Sequence, residues 1–374
     1  MKKSLACLLL CLCFTMQLCG CSASNNEYLV IENYVPTVQE HSSEDGKIVV
    51  KNYAGLRNAL LELAYSGQTQ GSIVFDSAYD GDTTEDMASA CWAVRTQDAL
   101  CAYCVENIAY ELNKIVTINE ASVYISYSDV TVSPEEIRHM SFSSGAEAVL
   151  KRSMAETGKR VVLLVEHSAY SAEDMANVIT GIYRENPTIV PVEPMASVNM
   201  YSGSGSQRLY EISINYGLTA EELEERSAQL MAIDAFAHLD TESMSDMQLA
   251  YAAYEYLVDN CFVSGVSSEN TAYSALVQKS ANSEGVAFAY VELCRQLGVD
   301  CRIVYGQLDW HEHCWNIIKL DGSYYHVDVS AAGANGTEAS FLKNDEGFWG
   351  LYRWDVASYP KCAGELEYSD LILS

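Results

Sequence analysis

Three residues in the last third of this chain have the types and order that acyl-transfer chemistry requires. Ser283 opens a helical pattern, His313 lies in a short apolar run and Asp328 lies in the next one. A nucleophile at a helix N-terminus feels the partial positive charge there and sits beside backbone N–H groups that can hold an oxyanion. An imidazole shuttles the proton, and a carboxylate fixes the imidazole tautomer. Such a set would carry out acyl transfer.

The elements that must position these residues are legible. From Ser283 onward Val286, Ala289, Tyr290, Leu293 and Leu297 recur at helical spacing, and Gly298 stands where a helix stops. CRIVYGQ and CWNIIKL then read as short strands, and Asp321-Gly322 joins the second to SYYHVDVS as a hairpin turn does. The spacing predicts one helix followed by antiparallel strands.

As a whole the stretch resembles the transglutaminase-like superfamily of papain-related thiol enzymes. Four blocks carry the resemblance: Tyr273-Ser274-Ala275-Leu276, Ala281-Asn282-Ser283-Glu284-Gly285-Val286-Ala287, His313-Cys314-Trp315-Asn316 and Tyr325-His326-Val327-Asp328. It implies a C-terminal α+β domain of papain-like fold, with the helix that bears the nucleophile position packed on an antiparallel sheet. It also implies His313 as general base, Asp328 as its orienting partner, the Ser283 backbone N–H as part of the oxyanion site, and Trp315 and Asn316 as residues that pack and orient the His313 strand. One position departs from the pattern, because Ser283 stands where the family carries its nucleophilic cysteine. A thiol, of pKa about 8.5, is readily made a thiolate, whereas a hydroxyl must lose its proton during attack.

Two readings follow from that exchange. In one, the site is catalytically silent and the old cleft binds peptide, protein or cell-wall material; in the other, Ser283, His313 and Asp328 form an active acyl-transfer enzyme. Neither of the two nearest thiols in this stretch takes over the role. Cys314 should point to the strand face opposite His313, and Cys294 lies about 16 Å along the helix from Ser283. His311, His313 and His326 lack a further well-placed ligand once His313 and Asp328 are paired, so neither metal nor other cofactor is expected.

Upstream of this domain the chain reads as two related α/β modules. Ser77-Ala78-Tyr79 matches Ser168-Ala169-Tyr170, Glu85-Asp86-Met87 matches Glu173-Asp174-Met175, and Pro134-Glu135-Glu136-Ile137 matches Ala220-Glu221-Glu222-Leu223. A slowly drifting offset of this kind is what duplication with small insertions produces, the alternative being chance similarity of capped strand–turn–helix segments. ALCAYCVENIAYEL is expected to be helical throughout. Its Cys101 and Cys104 lack the second pair that a zinc site needs, and they read as buried small hydrophobes. Neither module assembles chemistry, and spacer or ligand-recognition roles suit both.

Lys2 and Lys3 precede an apolar run too short to span a membrane and of the right length for a signal segment. Its end, Leu18-Cys19-Gly20-Cys21, resembles a bacterial lipobox, which implies lipid on Cys21 and anchorage on the extracytoplasmic face of the cell membrane; the alternative is a plain secretory signal. The organisation expected is therefore a signal (1–20), a tether (21–46), the first module (47–141), the second (142–240) and the transglutaminase-like domain (241–374). With 51 acids against 22 Lys and Arg, the net charge of −29 argues against nucleic acid as a partner.

Overall fold

The computed structural model describes residues 41–44, 47–115, 118–129, 136–266 and 268–373. The signal, Cys21, Pro134 and Glu135 lie outside the described residues. Among those residues no helix is long and apolar enough to cross a membrane.

The first unit runs β1 (His41–Glu44), β2 (Lys47–Val50), α1 (Tyr53–Tyr65), β3 (Gln70–Phe75), α2 (Thr83–Gln97), α3 (Ala99–Cys104), β4 (Val105–Ile115) and β5 (Ile118–Tyr127). Its sheet has the order β1-β2-β3-β5-β4, in which only β2 and β3 are parallel. The second unit runs β6 (Arg138–Phe142), α4 (Ala146–Ala155), β7 (Arg160–His167), α5 (Ala172–Glu185), β8 (Met195–Ser202) and β9 (Arg208–Asn215). Here the order is β6-β7-β9-β8, and again only the first pair is parallel. Strands β2-β3-β5-β4 thus repeat as β6-β7-β9-β8. The two Ser-Ala-Tyr triplets fall at equivalent places, between β3 and α2 and between β7 and α5.

The polar residues at these boundaries explain where the helices begin. Asp82 accepts from the Thr84 and Glu85 N–H groups to start α2, and Ser171 with Asp174 forms a reciprocal cap on α5. One expectation fails here. ALCAYCVENIAYEL is helix only as far as Cys104 and is strand from Val105 onward. An apolar run of this kind has no decisive local period, and pairing of β4 with β5 over its whole length outweighs helix propensity; a bulge between Val105 and Asn107 also resets the alternation.

The second sheet is covered on both faces. Val162, Leu164 and Leu209 pack with Leu100 and Cys101 of the first unit, while Val161, Leu163 and Val165 pack with Met175 and Ile179 of α5. Polar links reinforce the first contact: the Ala99 N–H donates to Gln207 Oε1 at 3.0 Å and Arg160 Nη2 donates to the Tyr103 hydroxyl at 3.0 Å.

The remainder comprises α6 (Ala220–Met231), α7 (Asp246–Asn260), β10 (Phe262–Val263), α8 (Ala272–Leu276), β11 (Ser280–Ala281) and α9 (Ser283–Gln296). These are followed by β12 (Asp300–Leu308), β13 (His311–Leu320), β14 (Ser323–Val327), α10 (Ala332–Asn335), α11 (Thr337–Ser340), α12 (Asp345–Phe348), β15 (Tyr352–Trp354) and α13 (Tyr368–Leu373). Strands β14-β13-β12-β15 form one antiparallel sheet. Helix α9 is buried from Gly285 to Cys294, as befits a central helix with an almost wholly apolar surface. Its other side meets the second unit. The Tyr183 ring lies edge-on to Phe288 at 5.3 Å, and Thr188 Oγ1 donates to the buried Glu292 at 2.8 Å. One apolar core therefore runs from the second sheet through α9 to the C-terminal sheet.

Candidate active site

Ser283 is the first residue of α9, and its neighbours fix that position. Asn282 is the N-cap and its side chain accepts from the Gly285 N–H at 3.0 Å. Gly285 is required by close approach: a Cβ there would come within 2.8 Å of the Glu269 carbonyl oxygen and 2.9 Å of that of Thr271. The loop ahead of α8 is thereby pressed against the helix start.

Alternation on β13 decides what faces the helix. Cys314 and Ile318 join the core around α9, whereas Trp315 and Ile317 join a smaller one on the far side with Val304, Phe348 and Tyr352. Asn316 is on the helix face too, and its Nδ2 donates to the Ala287 carbonyl of α9 at 3.0 Å, tying strand to helix. Burial pushes the Cys314 thiol up to about 12, so it stays protonated and unreactive at neutral pH.

His313 and Asp328 are brought together from β13 and the end of β14. His313 Nε2 lies 2.7 Å from Asp328 Oδ2, and the imidazole stacks on the fully buried Trp315 with ring centroids 6.3 Å apart. Asp328 is fully buried and has three further donors: the Tyr352 hydroxyl at 2.8 Å on Oδ2, and the Ser330 hydroxyl at 2.7 Å and Ala331 N–H at 3.1 Å on Oδ1. A carboxylate so held accepts from the imidazole, which places the His313 proton on Nε2 and leaves Nδ1 for chemistry.

Ser283 joins this group through the backbone. Its Oγ accepts from the Cys314 N–H at 3.3 Å, and among the described residues no hydrogen bond links it to His313. The three residues singled out by sequence therefore converge on one end of β13, but the nucleophile position is engaged by the strand and the imidazole by the carboxylate. Tyr352 and Ser330 were missed by sequence reasoning. Ser330 is two residues past Asp328 and was within reach of a local reading; Tyr352 comes from the tail and only the fold reveals its role.

An apolar groove of about 390 Å³ reaches the same place, lined by Val258, Phe262, Val263, Val286, Ala332 and Ser330. Its strand β10 pairs in parallel with β11, which leads directly into Asn282 and Ser283. Phe262 is 72% exposed at the rim.

Among the described residues His311, His313 and His326 do not come together at one point. His311 is exposed near the β12–β13 turn, and His326 instead meets Asp345 and Cys362, whose donor atoms all lie within 4.8 Å of one another. The hydrogen bonds of that trio argue against ligation. Trp315 Nε1–H donates to His326 Nδ1 at 3.0 Å, so Nε2 carries the proton and donates to Asp345 Oδ1 at 3.0 Å, leaving no lone pair. Burial also pushes the Cys362 thiol up to about 12.

Residues 236–329 match the model of the transglutaminase-like superfamily. No curated protein matches the sequence. Among solved structures the chain is similar to a TGase, at 8% identity over 46% of this chain and 51% of that one, with a TM-score of 0.22. It is also similar to a cysteine protease-like protein from Cytophaga hutchinsonii, at 10% identity over 37% of this chain and 64% of that one, with a TM-score of 0.20. A third likeness is to menin, in a structure describing its binding site for the Mixed Lineage Leukemia (MLL) protein, at 19% identity over 30% of this chain and 26% of that one, with a TM-score of 0.22. The chain thus spans about half the length of the first of these, and the family-model match is confined to residues 236–329.

Proposed function

We propose that the transglutaminase-like domain carried by this chain is a non-catalytic one, which binds peptide or cell-wall material in the cleft beside Ser283. The observation that supports this reading is the hydrogen bond from the Cys314 N–H to Ser283 Oγ, with no hydrogen bond from Ser283 to His313 among the described residues. A serine nucleophile depends on a base within hydrogen-bond reach to take its proton during attack. The groove of Phe262, Val263 and Val286 offers an apolar side of the kind a peptide uses, with the Ser330 hydroxyl in its lining. We further take the lipobox-like Leu18-Cys19-Gly20-Cys21 as an anchor that places the protein at the extracytoplasmic face of the membrane, and the two units of like connectivity as copies of one module.

A second reading has its own support, the close pairing of His313 with Asp328. In that case His313 Nδ1 would take the Ser283 proton as Oγ bonds to the amide carbon. The backbone N–H groups at the start of α9 would hold the oxyanion, and the proton would pass to the departing amine as the C–N bond breaks. Ser283→Ala separates the two readings when peptide binding, measured calorimetrically with cell-wall peptides, is set beside amide turnover. Unchanged affinity with no turnover in either protein supports the binder. Turnover by the parent that vanishes in the variant overturns it.

A further inference from the structure

Two hairpins of the C-terminal sheet close on two-residue turns in which both residues have positive φ. Between β13 and β14 they are Asp321 (48°) and Gly322 (85°); between β12 and β13 they are Asp309 (47°) and Trp310 (68°). Asp-Gly is the pair such a turn favours, since glycine reaches left-handed backbone without a Cβ clash. The second turn puts an indole where glycine belongs. Nothing in the core requires it, because Trp310 is 70% exposed. Backbone strain kept at an exposed aromatic residue points to a function outside folding.

The indole is nonetheless held in place. The Arg353 guanidinium lies over its ring, 3.4 Å from the centroid, and the Asp309 N–H donates to the Leu351 carbonyl at 3.0 Å, fastening the turn to the segment ahead of β15. Arg353 also lines a notch of about 230 Å³ together with Trp349, Gly350, Tyr352 and Trp354. Trp349 is 71% exposed and meets Trp354 edge-on, with centroids 6.1 Å apart. Arg353 Nη1 is shielded from solvent and has no hydrogen-bond acceptor among the described residues. A buried donor without an acceptor is costly.

We propose that the Trp310–Arg353–Trp349 surface binds a neutral glycan. A sugar ring presents a C–H face that an exposed indole can stack against and hydroxyl oxygens that can accept from the partly exposed Arg353 guanidinium in the notch lining. The chain's net charge of −29 disfavours polyanionic polymers. The site adjoins the Ser283 region without sharing its chemistry: Tyr352 lines the notch and sends its hydroxyl to Asp328. The proposal stands whether or not Ser283 is active.

Titration of the purified protein with the hexamers of N-acetylglucosamine and of glucose, followed by tryptophan fluorescence and calorimetry, tests this. Saturable binding of at least one hexamer is expected, weakened about tenfold or more by Trp349→Ala and by Trp310→Gly. Trp310→Gly relieves the positive-φ strain, so its melting temperature should stay level or rise, which separates lost binding from lost folding. No saturable response to either hexamer at millimolar concentration overturns the proposal. So does binding unchanged in both variants, and so does a defect of these variants only in association with neutral phosphatidylcholine vesicles, which would assign the two indoles to a lipid surface.

Discussion

The backbone N–H of Cys314 donates to the Oγ of Ser283 at 3.3 Å, so the nucleophile position is fastened to the strand that carries His313 rather than to His313 itself. The rest of the constellation is well ordered around it. Asp328 is fully buried beneath four donors, and α9 begins at Ser283 itself. The domain thus holds a paired imidazole and carboxylate beside a helix start whose first residue carries a hydroxyl.

Restoring sulfur should therefore restore reactivity. In Ser283→Cys the thiol would sit at the N-terminus of a long buried helix, near an imidazole already oriented by a carboxylate, and its pKa should fall below the ordinary value of about 8.5 by about one unit or more. Alkylation of that residue against pH, read by peptide mass, should show fast labelling near neutrality that is lost when His313→Ala is added. An ordinary thiol titration in both proteins would mean that the imidazole does not reach position 283.

Asp328 should matter more to folding than to binding. Asp328→Ala leaves Tyr352, Ser330 and His313 without their shared acceptor in a buried site, a loss of about 3–5 kcal/mol. Urea unfolding of the variant should show a midpoint lowered accordingly. A change under about 1 kcal/mol would show that water or a rearranged Ser330 replaces the carboxylate.

The pH dependence of stability should contain a contribution from His326. Burial holds its imidazole below the ordinary 6.5, although the hydrogen bond to Asp345 works in the other direction. The unfolded chain then takes up that proton more readily than the fold. The contribution is fully present above pH 6.5 and is lost as pH falls from 6.5 through the folded value. His326→Gln should be less stable than the parent at pH 8, with the gap narrowing on acidification from pH 7 to 5 in urea titrations. A gap independent of pH would show that the network, not the proton, accounts for the residue.

The C-terminal unit should not stand alone. A fragment of residues 241–374 loses Tyr183 from the face of Phe288 and Thr188 from the buried Glu292. It should melt without cooperativity and bind a hydrophobic dye. A sharp melt and no dye binding would show that the shared core is dispensable, and would make that fragment usable for assigning ligands to single domains.

Much of the site was legible because its signals are local. Ser283 with its capping Asn282, the apolar spacing to Leu297, and His313 and Asp328 on consecutive strands all lie within 46 residues of one another. The α+β order and the transglutaminase-like character of the last third follow from the same stretch. What escaped depends on contacts remote in sequence. Tyr352 reaches Asp328 only because β15 pairs with β12, and Val105 is strand only because β5 lies beside it. The continuity of the core from Tyr183 to Phe288 likewise has no signature in either segment. The positive φ of Trp310, in a turn like the one that holds Gly322, likewise has no signature in the sequence.

The most direct test of the silent-site reading asks whether Ser283 is a nucleophile at all. The purified protein is treated with a fluorophosphonate, which forms a covalent adduct with activated serines without regard to their substrates, and the peptide containing Ser283 is examined by mass. With the Ser283 hydroxyl engaged by the Cys314 N–H and not by the imidazole, no adduct should form at that residue under conditions that label a serine hydrolase completely. An adduct on Ser283 that disappears in His313→Ala would contradict this reading and make the domain a serine-dependent acyl-transfer enzyme.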